Sequence, residues 1–351
     1  MADSARARQK SLIAYIIVAA VVFVILAVPL VVKKERTGVV YTRDLMGTLV
    51  EFTLMDGAAD RFDDAAEAGF AEIARLEGLL SSYSPTSDVT RISNAGGGGG
   101  GGGGGPVRVA PEVVEVVLKA LEIAELSGGA FDPTIGALAG VWGWSGESGK
   151  VPSEEELTRL LPLVDYTRIR VDEGASTVEL TGPGRALNLG GVAKGYIVAR
   201  AIEKLKAGGV TRGIVKAGGD LTVFQTAGRP RPFKIGIRHP RKADKLLGEA
   251  FVTSGAVTTS GDYERFFIKD GVRYHHILDP ATGMPARGAR SVTIVAEDPT
   301  RADALSTAVF VMGPKAGMGL IERLPGVEGV IVDSRGRVVR SSGFEGVIYA
   351  D

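Results

Sequence analysis

The sequence predicts an α+β fold with antiparallel strand pairing, and three features point to it. Apolar residues recur at helical spacing early in the chain, from about Asp60 to Ser82 and from Pro111 to about Leu126. Short β-rich runs cluster later, broken by Gly, Pro and Asp. Strands and helices do not alternate regularly, which argues against a doubly wound parallel sheet.

The first element is an apolar run, Leu12 to Val32, 21 residues without a charge. As a helix it is about 30 Å long, the thickness of a bilayer core. A cleavable signal peptide is the competing reading, but its apolar stretch is usually about 7–15 residues and ends in a small-x-small site. Here Lys33, Lys34 and Arg36 stand where cleavage would fall, so the run reads as an uncleaved membrane anchor within an N-terminal segment 1–36. Arg6, Arg8 and Lys10 flank its other side, so the positive-inside count is close to a tie.

Residues 37–351 read as one soluble, mixed domain. Thr48–Asp56, "TLVEFTLMD", alternates like a strand. The helix that follows places Phe70, Ile73, Leu76 and Leu80 on one face. Gly96–Gly105 is ten consecutive glycines, a flexible loop with no fixed shape for holding an anion. Pro111 opens the second helix at its first turn. Two further helices are expected near Gly191–Leu205 and Thr300–Met312.

Charge and composition narrow the function. Lys plus Arg equals Asp plus Glu, 41 each, which removes the electrostatic argument for a nucleic-acid partner. The chain has no cysteine, which excludes disulfides, thiolate zinc sites and a Cys nucleophile. It has three histidines, and two of them, His275 and His276, are adjacent in "YHHILDPATGMP".

Five segments join Gly to Asp, Thr, Ser or Lys: "LMGTLVEF", "GGAFDPTIG", "LNLGGVAKGY", "KAGGDL" and "TTSGDYERF". Each alone is ordinary turn chemistry. "LNLGGVAKGY" adds a lysine, Lys194, where a β-run meets a helix N-terminus, a setting that suits an anion. It is not a Walker loop, because the spacing GxxxxGK[ST] is absent. On the Thr300–Met312 helix, Asp303, Ser306 and Thr307 lie at i, i+3 and i+4 and share a face. Three hard oxygen donors there suit Mg²⁺. The competing reading is helix-start chemistry, with Thr300 as the cap and the two hydroxyls buried.

Together, "GAFDPT", "LGGVAKGY", "AGGDL", "TSGDYERF", "HILDPATGMP" and "DALSTAVFVMG", in that order, resemble the FAD:protein FMN transferase (ApbE) family. The resemblance covers nearly everything after the apolar run. It implies a single bilobal, T-fold-like α+β domain with the flavin between two lobes. It also implies Mg²⁺-dependent transfer of FMN from FAD to a Ser or Thr hydroxyl of a target protein, forming a phosphodiester and releasing AMP. Targets are typically subunits of membrane redox complexes. Hydrolysis of FAD to FMN and AMP is the alternative, and a membrane-tethered flavin carrier without turnover a third reading.

Carried over by position, the flavin contacts are Met46, Tyr83, Ala130, Phe131, Asp132, Asn188, Lys194 and Ile277. The metal ligands are Asp303 and Thr307, with Ser306 beside them and a backbone carbonyl of Gly191. His276 is the catalytic residue, a proton acceptor for the attacking hydroxyl. His275 reads as a solvated neighbour, and His239 has no assigned role. The chain departs from the family where Asn188 replaces a usual Asp and Ala199 a frequent one. Anchor and family together place the catalytic part outside the cytoplasm, at the cytoplasmic membrane.

Overall fold

The computed structural model describes residues 38–96, 105–143 and 149–349. The expected anchor at Leu12–Val32 and nearly all of the glycine run lie outside the described residues.

The chain begins with β1 (Val39–Leu45), β2 (Thr48–Gly57), α1 (Phe62–Leu80) and α2 (Asp88–Ala95). It continues with β3 (Val107–Arg108), α3 (Pro111–Leu126), α4 (Gly136–Ala139), α5 (Glu154–Leu160), β4 (Ile169–Asp172) and β5 (Thr177–Leu180). Next come α6 (Ala193–Ala207), β6 (Val210–Ala217), β7 (Asp220–Gln225), β8 (Phe233–Arg238), β9 (Leu246–Val252) and β10 (Gly255–Gly261). The last part holds β11 (Phe266–Lys269), β12 (Val272–His275), β13 (Ala289–Ala296), α7 (Pro299–Ile321), β14 (Val327–Asp333), β15 (Val338–Arg340) and β16 (Gly346–Ile348).

Eight strands form one sheet in the order β1-β2-β6-β7-β10-β13-β14-β15, and every neighbouring pair in it is antiparallel. Alternation along the strands divides the sheet's two faces. Phe224 and Ile331 join the main core beneath the helices. Val223, Val330 and Val332 point the other way, against Phe233, Ile235 and Val252 of a second sheet, β16-β9-β8. Helices α1, α6 and α7 cover the first face.

The expected apolar stripe of α1 is buried: Phe70, Ile73, Leu76 and Leu80 are each at most 3% exposed. Helix α3 spans Pro111–Leu126 as the sequence predicts, with Pro at its start, where a missing N–H costs nothing. α7 differs from expectation at both ends. Its N-cap is Asp298, whose side chain accepts the Thr300 N–H (2.8 Å), so Thr300 is not the cap. Met312 ends only its first segment. At Gly313 (φ 75°) the backbone breaks, Pro314 restarts it, and a second segment runs to Ile321.

A smaller group lies beside the large sheet: the strands β3-β5-β4 with α2 and α3. Tyr196 of α6 ties the two parts together, its hydroxyl donating to Glu115 of α3 (2.5 Å). Both parts feed one continuous apolar core.

Candidate active site

The site grows from the crossing of α6 and α7. Gly195, in the first turn of α6, lets the helices touch: a Cβ there would stand 2.2 Å from the Pro299 carbonyl oxygen and 2.9 Å from the Asp303 Cβ. At that approach the Gly195 N–H donates to Asp303 Oδ2 (2.9 Å). The anion at this helix N-terminus is therefore the protein's own carboxylate, in the position that the helix dipole favours.

One residue earlier, Lys194 stands between two carboxylates. Its ammonium is paired with Asp220 and lies 3.6 Å from Asp303 Oδ1. Asp220 arrives through the Gly218-Gly219 hairpin turn of β6–β7, where Ala217 faces Asp220 across the ladder. Its second oxygen accepts the Thr259 N–H (2.9 Å). One ammonium against two carboxylates leaves a local surplus of one negative charge.

Hydroxyls complete the floor. Ser306 donates to the Asp303 carbonyl (2.8 Å), so Ser260 is the donor in the 2.8 Å contact between Ser260 Oγ and Ser306 Oγ. Thr307 Oγ1 lies 3.4 Å from Ser260 Oγ. Gly191 closes the cradle, since a Cβ there would sit 3.0 Å from the Phe131 ring and 3.3 Å from Thr307 Oγ1. Carboxylates and hydroxyls are hard donors, and with the surplus negative charge they fit a Mg²⁺-like cation. Among the described residues no three His, Cys, Asp or Glu side chains cluster as a ready-made metal site.

His276 follows β12. Its backbone N–H donates to the Arg265 carbonyl (3.1 Å), and Nδ1 lies 3.3 Å from the same oxygen. That contact puts the proton on Nδ1 and leaves Nε2 free to accept one. The residue itself is exposed, although many protein atoms surround its ring. This loss of water, reinforced by the charges of Arg265 and Lys194, pushes its pKa down to about 4.

His275 is not the solvated neighbour that the sequence suggests. It is 2% exposed, with Nε2 2.8 Å from the Ala286 carbonyl and Nδ1 accepting the Ile277 N–H (3.3 Å). Its ring meets Phe310 edge-on at 5.5 Å. Successive residues of an extended chain face opposite ways, so one histidine turns inward while the other stays accessible.

The remaining candidates fall into two groups. Phe131, Asp132, Asn188 and Gly191 come together: the Asn188 N–H donates to the Pro133 carbonyl (2.7 Å), and Phe131 abuts Gly191. Asp132 spends its oxygens locally, accepting from Thr134 N–H (2.8 Å), Thr134 Oγ1 (2.6 Å) and Tyr166 N–H (3.0 Å). Burial still holds its pKa above the ordinary value. Asn188 Oδ1 accepts the Gly190 N–H (2.8 Å), work that an amide oxygen performs as well as a carboxylate. Ala130 is half-buried in the same loop, and Ile277 is buried beside His276.

Met46 lies in the β1–β2 turn, its N–H held by Glu77 (2.9 Å), on a cleft of about 380 Å³ lined also by Gly47 and Thr48. Thr48 borders the Gly218 turn that delivers Asp220. Tyr83 stands apart with 85% of its surface exposed. Asp220 and Ser260 were not singled out by sequence, although "KAGGDL" and "TTSGDYERF" were the signal that contained them.

The chain is similar to known proteins over most of its length. The ApbE family model matches residues 46–331. A FAD:protein FMN transferase of Treponema pallidum is 36% identical over 296 residues, 80% of each chain. One of Klebsiella pneumoniae is 31% identical, covering 86% of this chain and 91% of its own. Among solved structures, the ApbE protein of Thermotoga maritima is 37% identical with a TM-score of 0.77, covering 87% of this chain and 97% of that one. The apo flavinyl transferase ApbE of Pseudomonas stutzeri is 30% identical with a TM-score of 0.71, over 89% and 94%. With the match spanning both the helix crossing and the histidine turn, this chain belongs to the ApbE family.

Proposed function

We infer that this chain is a flavin transferase that moves FMN from FAD to a target protein. The observation carrying the reading is the meeting of Lys194, Asp220 and Asp303 with a hydroxyl floor, beside a histidine whose Nε2 is free.

In the proposed reaction a Ser or Thr oxygen of the target attacks the phosphorus on the FMN side of the FAD diphosphate. Its proton passes to His276 Nε2, the new phosphodiester forms, the P–O bond to adenylate breaks, and AMP leaves. A neutral imidazole at pH 7 suits this task, because a protonated ring could not accept. Lys194 neutralises diphosphate charge once substrate draws it from Asp220, and Asp303, Thr307 and Gly191 would hold Mg²⁺. Bound there, the cation supplies further charge neutralisation, most of what phosphoryl transfer requires. Phe131, Ala130, Asp132, Asn188, Ile277 and Met46 would contact the flavin nucleotide, and Tyr83 offers an exposed ring for stacking.

Hydrolysis of FAD to FMN and AMP is the second reading, favoured by the exposure of His276, which water can reach. Incubation with FAD, Mg²⁺ and a candidate acceptor protein separates the two. Covalent flavin fluorescence on the acceptor band supports transfer, and AMP release at full rate without acceptor supports hydrolysis.

The same proposal places Leu12–Val32 in the cytoplasmic membrane, with the catalytic domain outside the cytoplasm and a membrane redox-complex subunit as target. The length and apolarity of the run support this. C-terminal reporter fusions active only in the cytoplasm would overturn it.

A further inference from the structure

The hairpin of β1 and β2 closes over two residues, Met46 and Gly47, between the paired Leu45 and Thr48. Both have positive φ, 54° and 65°, the type I′ pattern. The hairpin of β11 and β12 closes in the same way over Asp270 (φ 51°) and Gly271 (φ 74°), between Lys269 and Val272. Asp-Gly is a sequence this turn favours, because glycine has no Cβ and aspartate can bond to nearby backbone. Met-Gly breaks that preference. A methionine at positive φ brings its Cβ too close to the backbone, and its side chain offers no local hydrogen bond in return.

The support comes from another element. Glu77, in the last turn of α1, accepts the Met46 N–H on its carboxylate (2.9 Å). That place does not favour the helix: a carboxylate there opposes the dipole, and the last turn of α1 holds no basic residue. One contact thus joins two residues that each break a local rule, and such conflicts gather at functional positions. Glu77 and Met46 line the same cleft. Leu49, also in that lining, accepts the Gly218 N–H on its carbonyl (3.2 Å), which ties the turn to the hairpin carrying Asp220 toward Lys194. The Met46 side chain rests on the main core and stays partly exposed. A flexible thioether adapts to an aromatic ring, and a flavin nucleotide supplies one.

Resting on the transferase reading above, we propose that Glu77 is a positioning residue for FAD: it holds Met46 in the left-handed conformation that presents its side chain to the flavin nucleotide. The test compares the full wild-type chain with Glu77→Ala, Glu77→Asp, Glu77→Gln, Met46→Gly and the double variant Met46→Gly with Glu77→Ala. FAD affinity is read by flavin fluorescence quenching, KM and kcat by AMP release with Mg²⁺, and stability by denaturant unfolding.

Glu77→Ala should raise Kd and KM for FAD about tenfold, the scale of one hydrogen bond to a charged group, with kcat changed less than about threefold. Glu77→Asp, one methylene too short for the N–H, should do the same. Glu77→Gln keeps an acceptor oxygen at the same reach and should return affinity to within about threefold of wild type. Met46→Gly should bind FAD more weakly, and adding Glu77→Ala should weaken it no further, because glycine takes positive φ unaided. Unchanged FAD affinity in Glu77→Ala and Glu77→Asp overturns the proposal, whether or not stability falls. An equal loss from Glu77→Ala with and without the methionine overturns it too. Should Glu77→Ala fail to fold, the contrast between Glu77→Asp and Glu77→Gln decides by the same affinities. FAD binding without AMP release by wild type marks failure of the transferase reading alone, and the affinities still decide the role of Glu77. No FAD binding by wild type ends both.

Discussion

Lys194 on α6 and Asp303 on α7 meet at 3.6 Å, across a crossing that only a glycine at position 195 allows. Two segments more than a hundred residues apart thus form one charged centre, and its parts can be tested separately.

Asp303→Ala removes the carboxylate proposed to hold the cation and leaves the Gly195 N–H without its acceptor. The rate of AMP release from FAD should fall about 10²–10³-fold, the scale for losing one preorganised electrostatic partner. Chelation of divalent cations should match that loss in wild type and add little in the variant. Full activity after chelation would remove the cation from the proposal.

Gly195→Ala tests the crossing itself. The added methyl must displace the Pro299 carbonyl, which is backbone and cannot rotate away. Overpacking of this kind costs about 1–3 kcal/mol. Denaturant unfolding should show a lower midpoint with an unchanged m-value, and activity should fall with the displaced Lys194–Asp303 pair.

His276→Ala should lose transfer and hydrolysis together while retaining FAD binding, measured by flavin fluorescence quenching. In wild type the acid limb of kcat/KM should lie well below the ordinary histidine value of about 6.5, toward the depressed value of about 4. Activity then persists at pH 5.5, where an unperturbed histidine would be largely protonated. A limb at 6.5 or above would remove His276 as the base.

His275 should affect stability more than chemistry. His275→Ala orphans the buried Ala286 carbonyl and empties space beside Phe310, so a loss of at least about 1–3 kcal/mol is expected. Burial lowers the folded-state pKa of His275. Between that value and about 6.5 the unfolded chain binds the extra proton, so wild-type stability should decline as pH falls through this window. In the Ala variant, that share of the decline should be missing.

Much of the architecture was legible locally. The apolar stripe of α1 and the proline start of α3 follow from helical spacing and cap chemistry, which neighbouring residues decide by themselves. Antiparallel pairing followed from strand clustering. The short helix Asp88–Ala95 was missed because eight residues, about two turns, are too short a window for a helical period to stand out. The helix Glu154–Leu160 was missed although its Ser153–Glu156 capping box is a readable start signal. The continuation of α7 was hidden behind Gly313 and Pro314, which locally read as a stop.

For the site, sequence by itself determined which chemistry was present: a lysine after paired glycines, oxygens on one face of a helix, and adjacent histidines. Only the tertiary structure decided what each group faces. It placed Asp303 against the Gly195 N–H, brought in Asp220 on a hairpin turn, and buried His275 while leaving His276 exposed. Partners of this kind are set by the close approach of segments distant in sequence, where sterics, burial and charge act through space and leave no local pattern to read.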